Sequence, residues 1–246
     1  MADLLQIDAL QLYFGDPYVI NDKITIYQPK IRDVAAYGEA QYMSMIHTLS
    51  AIPSDLKSQL WDMGLDWMEI SDFELFMILS QTMTQDKTSI ILGDLDLSSL
   101  RPYKNSQNGQ IVLANRETGV VIDELIYERI VNYIRKLHGL KKKVERAANE
   151  FTKKFMIEED RQKIAYNKNK PYESFLLPMI SAVKARQGYT LDYIKNEGLA
   201  EFFDEVSRLQ IIHNADALLH GAYSGMVDTS KINKNELNWM REIGND

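Results

Sequence analysis

The side chains with the means to do chemistry in this chain are its carboxylates and its few histidines. His213 and His220 lie seven residues apart with Asp216 between them, so on a helix the two imidazoles share a face. A metal ion needs three ligands in fixed geometry, and the i, i+4 pair of helical zinc motifs is absent. Asp62, Asp66, Glu69, Asp72 and Glu74 crowd a short span. Paired carboxylates can move protons, but these fall at helix starts and turns, where a carboxylate complements the helix dipole. Asp94 and Asp96 alternate on an expected strand and share a face, yet the glycine and closing glutamate of a calcium loop are missing. P-loop, GxGxxG, GxSxG and HExxH patterns do not occur. No nucleophile, base and orienting group come together, so the expectation is a non-catalytic protein with no cofactor and no metal.

The elements that position these residues are legible in part. Leu12-Tyr13-Phe14 reads as a strand before the turn Gly15-Asp16-Pro17, and Tyr18–Ile20 with Ile24–Tyr27 reads as a hairpin. Apolar spacing predicts a helix over 31–51. Ser54 is expected to cap a short helix over 55–63 that Gly64 stops. Ser71-Asp72-Phe73-Glu74 matches a capping box opening a helix through Phe76 and Leu79. Between Thr88 and Asp123 the period shifts towards two, which predicts strands at 89–92, 94–97, 110–114 and 119–122 with a polar turn at 105–109, in a small antiparallel sheet that either stands alone or is shared with the hairpin. Asp123 caps a helix over 124–138 that ends at Gly139. From 140 to 170 a charged helix is expected, with a narrow stripe of Leu140, Val144, Ala147, Ala148, Phe151 and Phe155. Helices follow at 175–186, 191–195 and 199–223, then a polar run at 228–235 and an apolar anchor at 237–243 carrying Trp239.

The fold class is therefore α+β, predominantly helical, with a small antiparallel sheet in the N-terminal half and an all-helical C-terminal part. Three parts are expected: a mixed domain over 1–139, a charged bridging helix and linker over 140–170, and a helical domain over 171–246. With 246 residues, 45% of them hydrophobic, a sizeable core can form. Cysteine is absent, which removes disulfides and thiolate metal sites. No signal peptide or transmembrane helix is read, so no membrane partner is expected. A net charge of −7 argues against nucleic acid as a ligand. That charge is uneven: between Lys141 and Lys170 ten Lys/Arg face five Asp/Glu, so the remainder carries −12. The basic segment is either a solvated face or a contact surface for docking or self-association.

The apolar centre of the N-terminal half is Tyr37–Leu79, which holds Trp61, Trp67 and much of the methionine. Such residues form a core or an adaptable binding groove. Trp61 and Phe76 are expected in the core. Met63, Trp67 and Met68, beside the Gly64 break, are the candidates for a partner surface, together with Val144, Phe151 and Phe155 of the basic segment.

This stretch, with its aromatic-Gly-Glu helix, "IPSDLKSQLWDMGLDW" and "FELFMIL", resembles proteins of tailed bacteriophages that infect Gram-positive hosts. Asp216-Ala217-Leu218-Leu219, Ala222-Tyr223-Ser224-Gly225 and Leu237-Asn238-Trp239-Met240 are similar in style. The resembled proteins are encoded near the tape-measure gene and include tail assembly chaperones. The resemblance implies a morphogenesis protein that shields the tape-measure protein in the host cell cytoplasm. A structural component of the tail or neck is the alternative. Tail assembly chaperones are mostly smaller and helical, so the strand-rich portion departs from their pattern.

Overall fold

The computed structural model describes residues 7–105, 109–226, 230 and 232–243. The fold is α+β and mostly helical, and its C-terminal part is all helix. Helix α1 (Ala9–Phe14) opens the chain, capped by the Asp8 carboxylate, which accepts from the amides of Leu10 and Gln11. Its residues Leu12 to Phe14 are thus helical rather than the expected strand. Strands β1 (Tyr18–Val19) and β2 (Thr25–Ile26) pair antiparallel as the hairpin predicted, with the Asn21 side chain holding the turn.

The helix expected over 31–51 is two: α2 (Ile31–Tyr37) and α3 (Glu39–Ser50). Gly38 separates them at φ 98°, a backbone that L side chains rarely adopt. A 3₁₀ turn at Pro53–Asp55 leads into α4 (Lys57–Asp62). Ser54 therefore caps no helix, and its hydroxyl instead accepts from the amide of Glu145 at 3.0 Å. Helix α5 (Asp72–Ser80) carries the predicted capping box, with the Ser71 hydroxyl on the Glu74 amide and the Glu74 carboxylate on the Ser71 amide.

Residues 89–92, expected as a strand, belong to α6 (Gln85–Leu92), and Asp94 and Asp96 lie in the irregular segment after it. Asp96 accepts from the amide of Ser98. The sheet is β3 (Arg101–Lys104), β4 (Ile111–Asn115) and β5 (Val120–Ile122), antiparallel in that order and separate from the hairpin. The expected polar turn at 105–109 falls partly outside the described residues.

Helix α7 (Glu124–Leu137), capped by Asp123, is the axis of the large core. Tyr127, Ile130, Val131, Ile134 and Leu137 repeat at three and four residues, so one apolar face is buried along its whole length. Each such side chain contributes about 1.5–3 kcal/mol relative to exposure. Tyr18 stacks on Tyr133 with ring centroids 4.8 Å apart, and Arg129 donates to the Tyr18 hydroxyl and the Ile20 carbonyl, which fixes the hairpin on α7.

Residues 140–149 form an extended strap without helix, so the stripe expected from Leu140 to Ala148 does not exist. Helix α8 spans Glu150–Asn167 only. The last helices are α9 (Leu176–Gln187), α10 (Leu191–Asn196) and α11 (Leu199–Tyr223). Pro178 sits in the first turn of α9, where a missing N–H costs nothing. Leu176, Val183, Ile194, Leu199 and Phe202 share one buried cluster with α3, α5 and α7, so the core runs on through the boundary expected at 171. At the seam the Glu39 carboxylate accepts from the Ser174 hydroxyl and the amides of Phe175 and Leu176. The expected anchor at 237–243 is an exposed segment: Trp239 and Met240 face solvent, and Arg208 holds the Trp239 and Arg241 carbonyls. The polar run at 228–235 lies partly outside the described residues.

Candidate partner-binding surface

A second, smaller buried cluster lies beside the first. It consists of Ala51, Leu60, Trp67, Leu75 and Ile157, with Leu56, Ile70 and Met156 packed against it. Trp67 is 3% exposed at its centre, so it is core and not the partner surface expected of it. Its indole N–H has no hydrogen-bond partner among the described residues.

The strap and α8 close this cluster with charges. Lys57 pairs with Glu145 at 2.8 Å, donates to the Ser54 carbonyl and lies over the Trp67 ring. Lys153 pairs with Asp66 and lies over Trp61. Arg161 pairs with Asp62, and Lys142 with Asp72 at 2.5 Å. The Ser58 amide and hydroxyl both donate to Asp160. Hydrogen bonds from Lys57 and Lys143 hold the Glu145 carboxyl down at about 2. Burial alone would raise the Asp66 carboxyl, but Lys153 and the Met68 amide outweigh it and lower it. The basic segment and the acidic stretch thus neutralise one another inside the molecule.

The remaining candidates stay at the surface. Phe151 is 81% exposed and Phe155 and Val144 are exposed as well. On α8, positions 151 and 155 lie about 160–200° round the helix from Lys153, which faces α4, so they project outward. Met63 (60% exposed) and Met68 are also exposed, and Trp61 is more open than a core residue.

An apolar groove of about 770 Å³ opens next to Gly64. Leu65, Ile70, Met77 and Ile78 line one wall, and Pro102 of β3 with Ile111 of β4 the other. Asp66, Glu69 and Glu74 stand at its sides, and among the described residues no Lys or Arg lines it. Met63, Trp67 and Met68 are absent from its lining. Sequence reasoning finds the neighbourhood and misses the wall from the sheet, because only the tertiary fold brings Pro102 and Ile111 against α5. Pro102 on the edge strand has no N–H for a further ladder, so an occupant is held by side-chain contact rather than by strand addition.

His213, Asp216 and His220 share α11, and no group of three or more His, Asp or Glu with metal-holding geometry occurs among the described residues. No helix among them is long and apolar enough to cross a membrane. Comparison with protein-family profiles, curated proteins and solved structures finds no match.

Proposed function

We propose that this chain is a non-catalytic binding protein that holds an amphipathic partner segment in the groove between α5 and the β3–β4 edge. The carrying observation is the composition of the groove: apolar walls with acidic sides, where Lys153 already holds Asp66 but Glu69 is in no ion pair among the described residues. A helix with one apolar face and flanking Lys or Arg is the occupant that matches both. Phe151 and Phe155, exposed on α8, are separate apolar side chains open to a partner.

Together with the resemblance to phage tail-gene products, this reading makes the chain a tail assembly protein. It acts in the host cytoplasm as a chaperone of the tape-measure protein, whose long apolar helix needs cover before the tail tube forms around it. The test is co-expression with that long tail protein. Co-purification and a gain in its solubility are expected, and Ile111→Asp, on the exposed groove wall, is expected to weaken capture at least tenfold. Capture unaffected by Ile111→Asp, or no capture, sinks the reading. Mass spectrometry of purified virions separates the chaperone from the tail or neck component, because a chaperone is missing from the particle.

A further inference from the structure

A second pocket, remote in sequence from the groove, lies where α1, α10 and α11 meet. It measures about 180 Å³. Glu197, Glu201 and Glu205 recur every four residues into and along α11, which brings their carboxylates to one side. Tyr13 reaches the pocket from α1, Tyr189 from the loop before α10, and Tyr193 from α10. Asp204 adds a fourth carboxylate.

Two properties mark this pocket as a ligand site. No Lys or Arg among the described residues pairs with any of the four carboxylates. Arg208, the one cation lining it, is turned to the Trp239 and Arg241 carbonyls. Moreover, Glu197 is 4% exposed, and its Oε2 and that of Glu205 are buried without a hydrogen-bond donor among the described residues, so the two carboxylates are joined only when one of them carries a proton. Buried carboxylate oxygens without donors are rare, since each forfeits its hydration. The backbone offers Glu197 no way out: its carbonyl accepts from the Ile31 amide, and Gly198 bridges to Lys30.

We infer that this pocket binds a primary alkylammonium group, carried either by a lysine side chain or by a free polyamine. The three N–H donors of an ammonium match the two orphan oxygens and one tyrosine hydroxyl. Its methylene stem lies along the outside of the Tyr189–Tyr193 pair, whose rings touch with centroids 4.6 Å apart, and cation–π attraction to an open ring face adds to the hold. The volume suits a four-carbon stem and excludes a nucleotide. A divalent metal is disfavoured because no described carboxylate group has metal-holding geometry. This inference is independent of the groove and of the function proposed for it.

Protonation sets the affinity. Burial, then Glu205 and Glu201, push the Glu197 carboxyl up to about 7. Tyr13, Tyr189 and Tyr193, with Asp204 and Arg208, are the other ionisable groups lining the pocket. A proton on Glu197 competes with the ammonium, which itself stays charged throughout. Binding therefore tightens as pH rises, by about tenfold between pH 6 and 8 for one competing proton.

The experiment is calorimetric titration of the full chain with n-butylammonium chloride at constant ionic strength, at pH 6 and pH 8. Saturable one-to-one binding with that tenfold dependence is expected. In Glu197→Gln, binding weakens at least tenfold and its pH dependence disappears. Glu201→Gln, with the more accessible carboxylate, is expected to show a smaller loss. Titration with N-acetyl-lysine methylamide and with spermidine distinguishes the sources. Equal affinities point to a lysine side chain, and spermidine more than tenfold tighter points to a free polyamine. Non-saturable binding, pH-independent binding by the unsubstituted chain, undiminished binding by Glu197→Gln, or displacement by equimolar magnesium overturns the inference.

Discussion

The cluster around α7 and the cluster around Trp67 are built on different physics. In the first, apolar side chains from α2, α3, α5, α7 and the C-terminal helices interlock, and the Tyr127 and Tyr133 hydroxyls are buried in it without a hydrogen-bond partner among the described residues. His138, at its edge, is satisfied. Its Nδ1 lies 2.7 Å from the Ile134 carbonyl, which can only accept, so Nδ1 carries the proton and Nε2 accepts from the Tyr42 hydroxyl at 2.7 Å. The second cluster has few apolar residues and is closed by ion pairs from a strap and a helix. Area removed from water makes the first insensitive to salt, whereas partly exposed ion pairs weaken with ionic strength. The smaller cluster is thus expected to open first.

That contrast can be broken or sharpened by measurement. Phe202→Ala, which removes a fully buried ring from the large cluster, should lower the stability of the whole chain by about 3–5 kcal/mol in denaturant melts. A loss confined to α11 would mean that the C-terminal helices form a separate unit. Acid should act on the two clusters at different pH. Burial lowers the His138 imidazole to about 4, so its stabilising neutral form is fully retained above the unfolded value of 6.5 and is lost as pH falls towards 4. The partly accessible ring should contribute about 2 kcal/mol over that window, and His138→Gln should flatten it. Glu145, held at about 2, keeps the strap in place above its ordinary value of 4.5 and releases it only as pH falls through 2.

Ser71→Ala should cost about 1 kcal/mol, because the hydroxyl caps α5. That helix serves both clusters, with Phe73 and Phe76 in the large one and Leu75 in the small one, so both should loosen together. The smallest effect expected is that of salt. Raising NaCl from 0.1 to 1 M should speed amide exchange in α8 severalfold while leaving α7 unchanged. Equal responses from the two helices would erase the distinction.

Where a local rule decides the structure, the residues announce it. The Ser71 capping box, the Asp123 cap, the hairpin over 18–27 and the span of α11 are all legible, since each depends on neighbours within a few positions. Ile90, Ile91 and Leu92 mislead because a short apolar run fits a strand as well as a helix, and burial of Ile91 and Leu92 on one face settles it. The Lys-rich residues 141–143 favour helix, yet Lys142 and Glu145 are drawn out to Asp72 and Lys57. Trp67 and Met63 look alike in sequence, and only the docking of α8 decides which is covered. The alternation of Glu197, Glu201 and Glu205 is visible in the chain, but Tyr13 joins them from almost two hundred residues away.

Gln28 and Gly198 have one more consequence, for the order of events during synthesis. The Gln28 side chain donates to the Leu12 carbonyl and accepts from the Ala200 amide, and a β-carbon on residue 198 would stand 2.4 Å from its Oε1. A segment is thus stapled to one translated 172 residues later. Helix α2 must wait for its partner α10, and the Ile31 amide for the Glu197 carbonyl, until the chain has been made beyond residue 197. A nascent chain halted before residue 197 would leave the Ile31 amide and the Pro29 carbonyl without their partners.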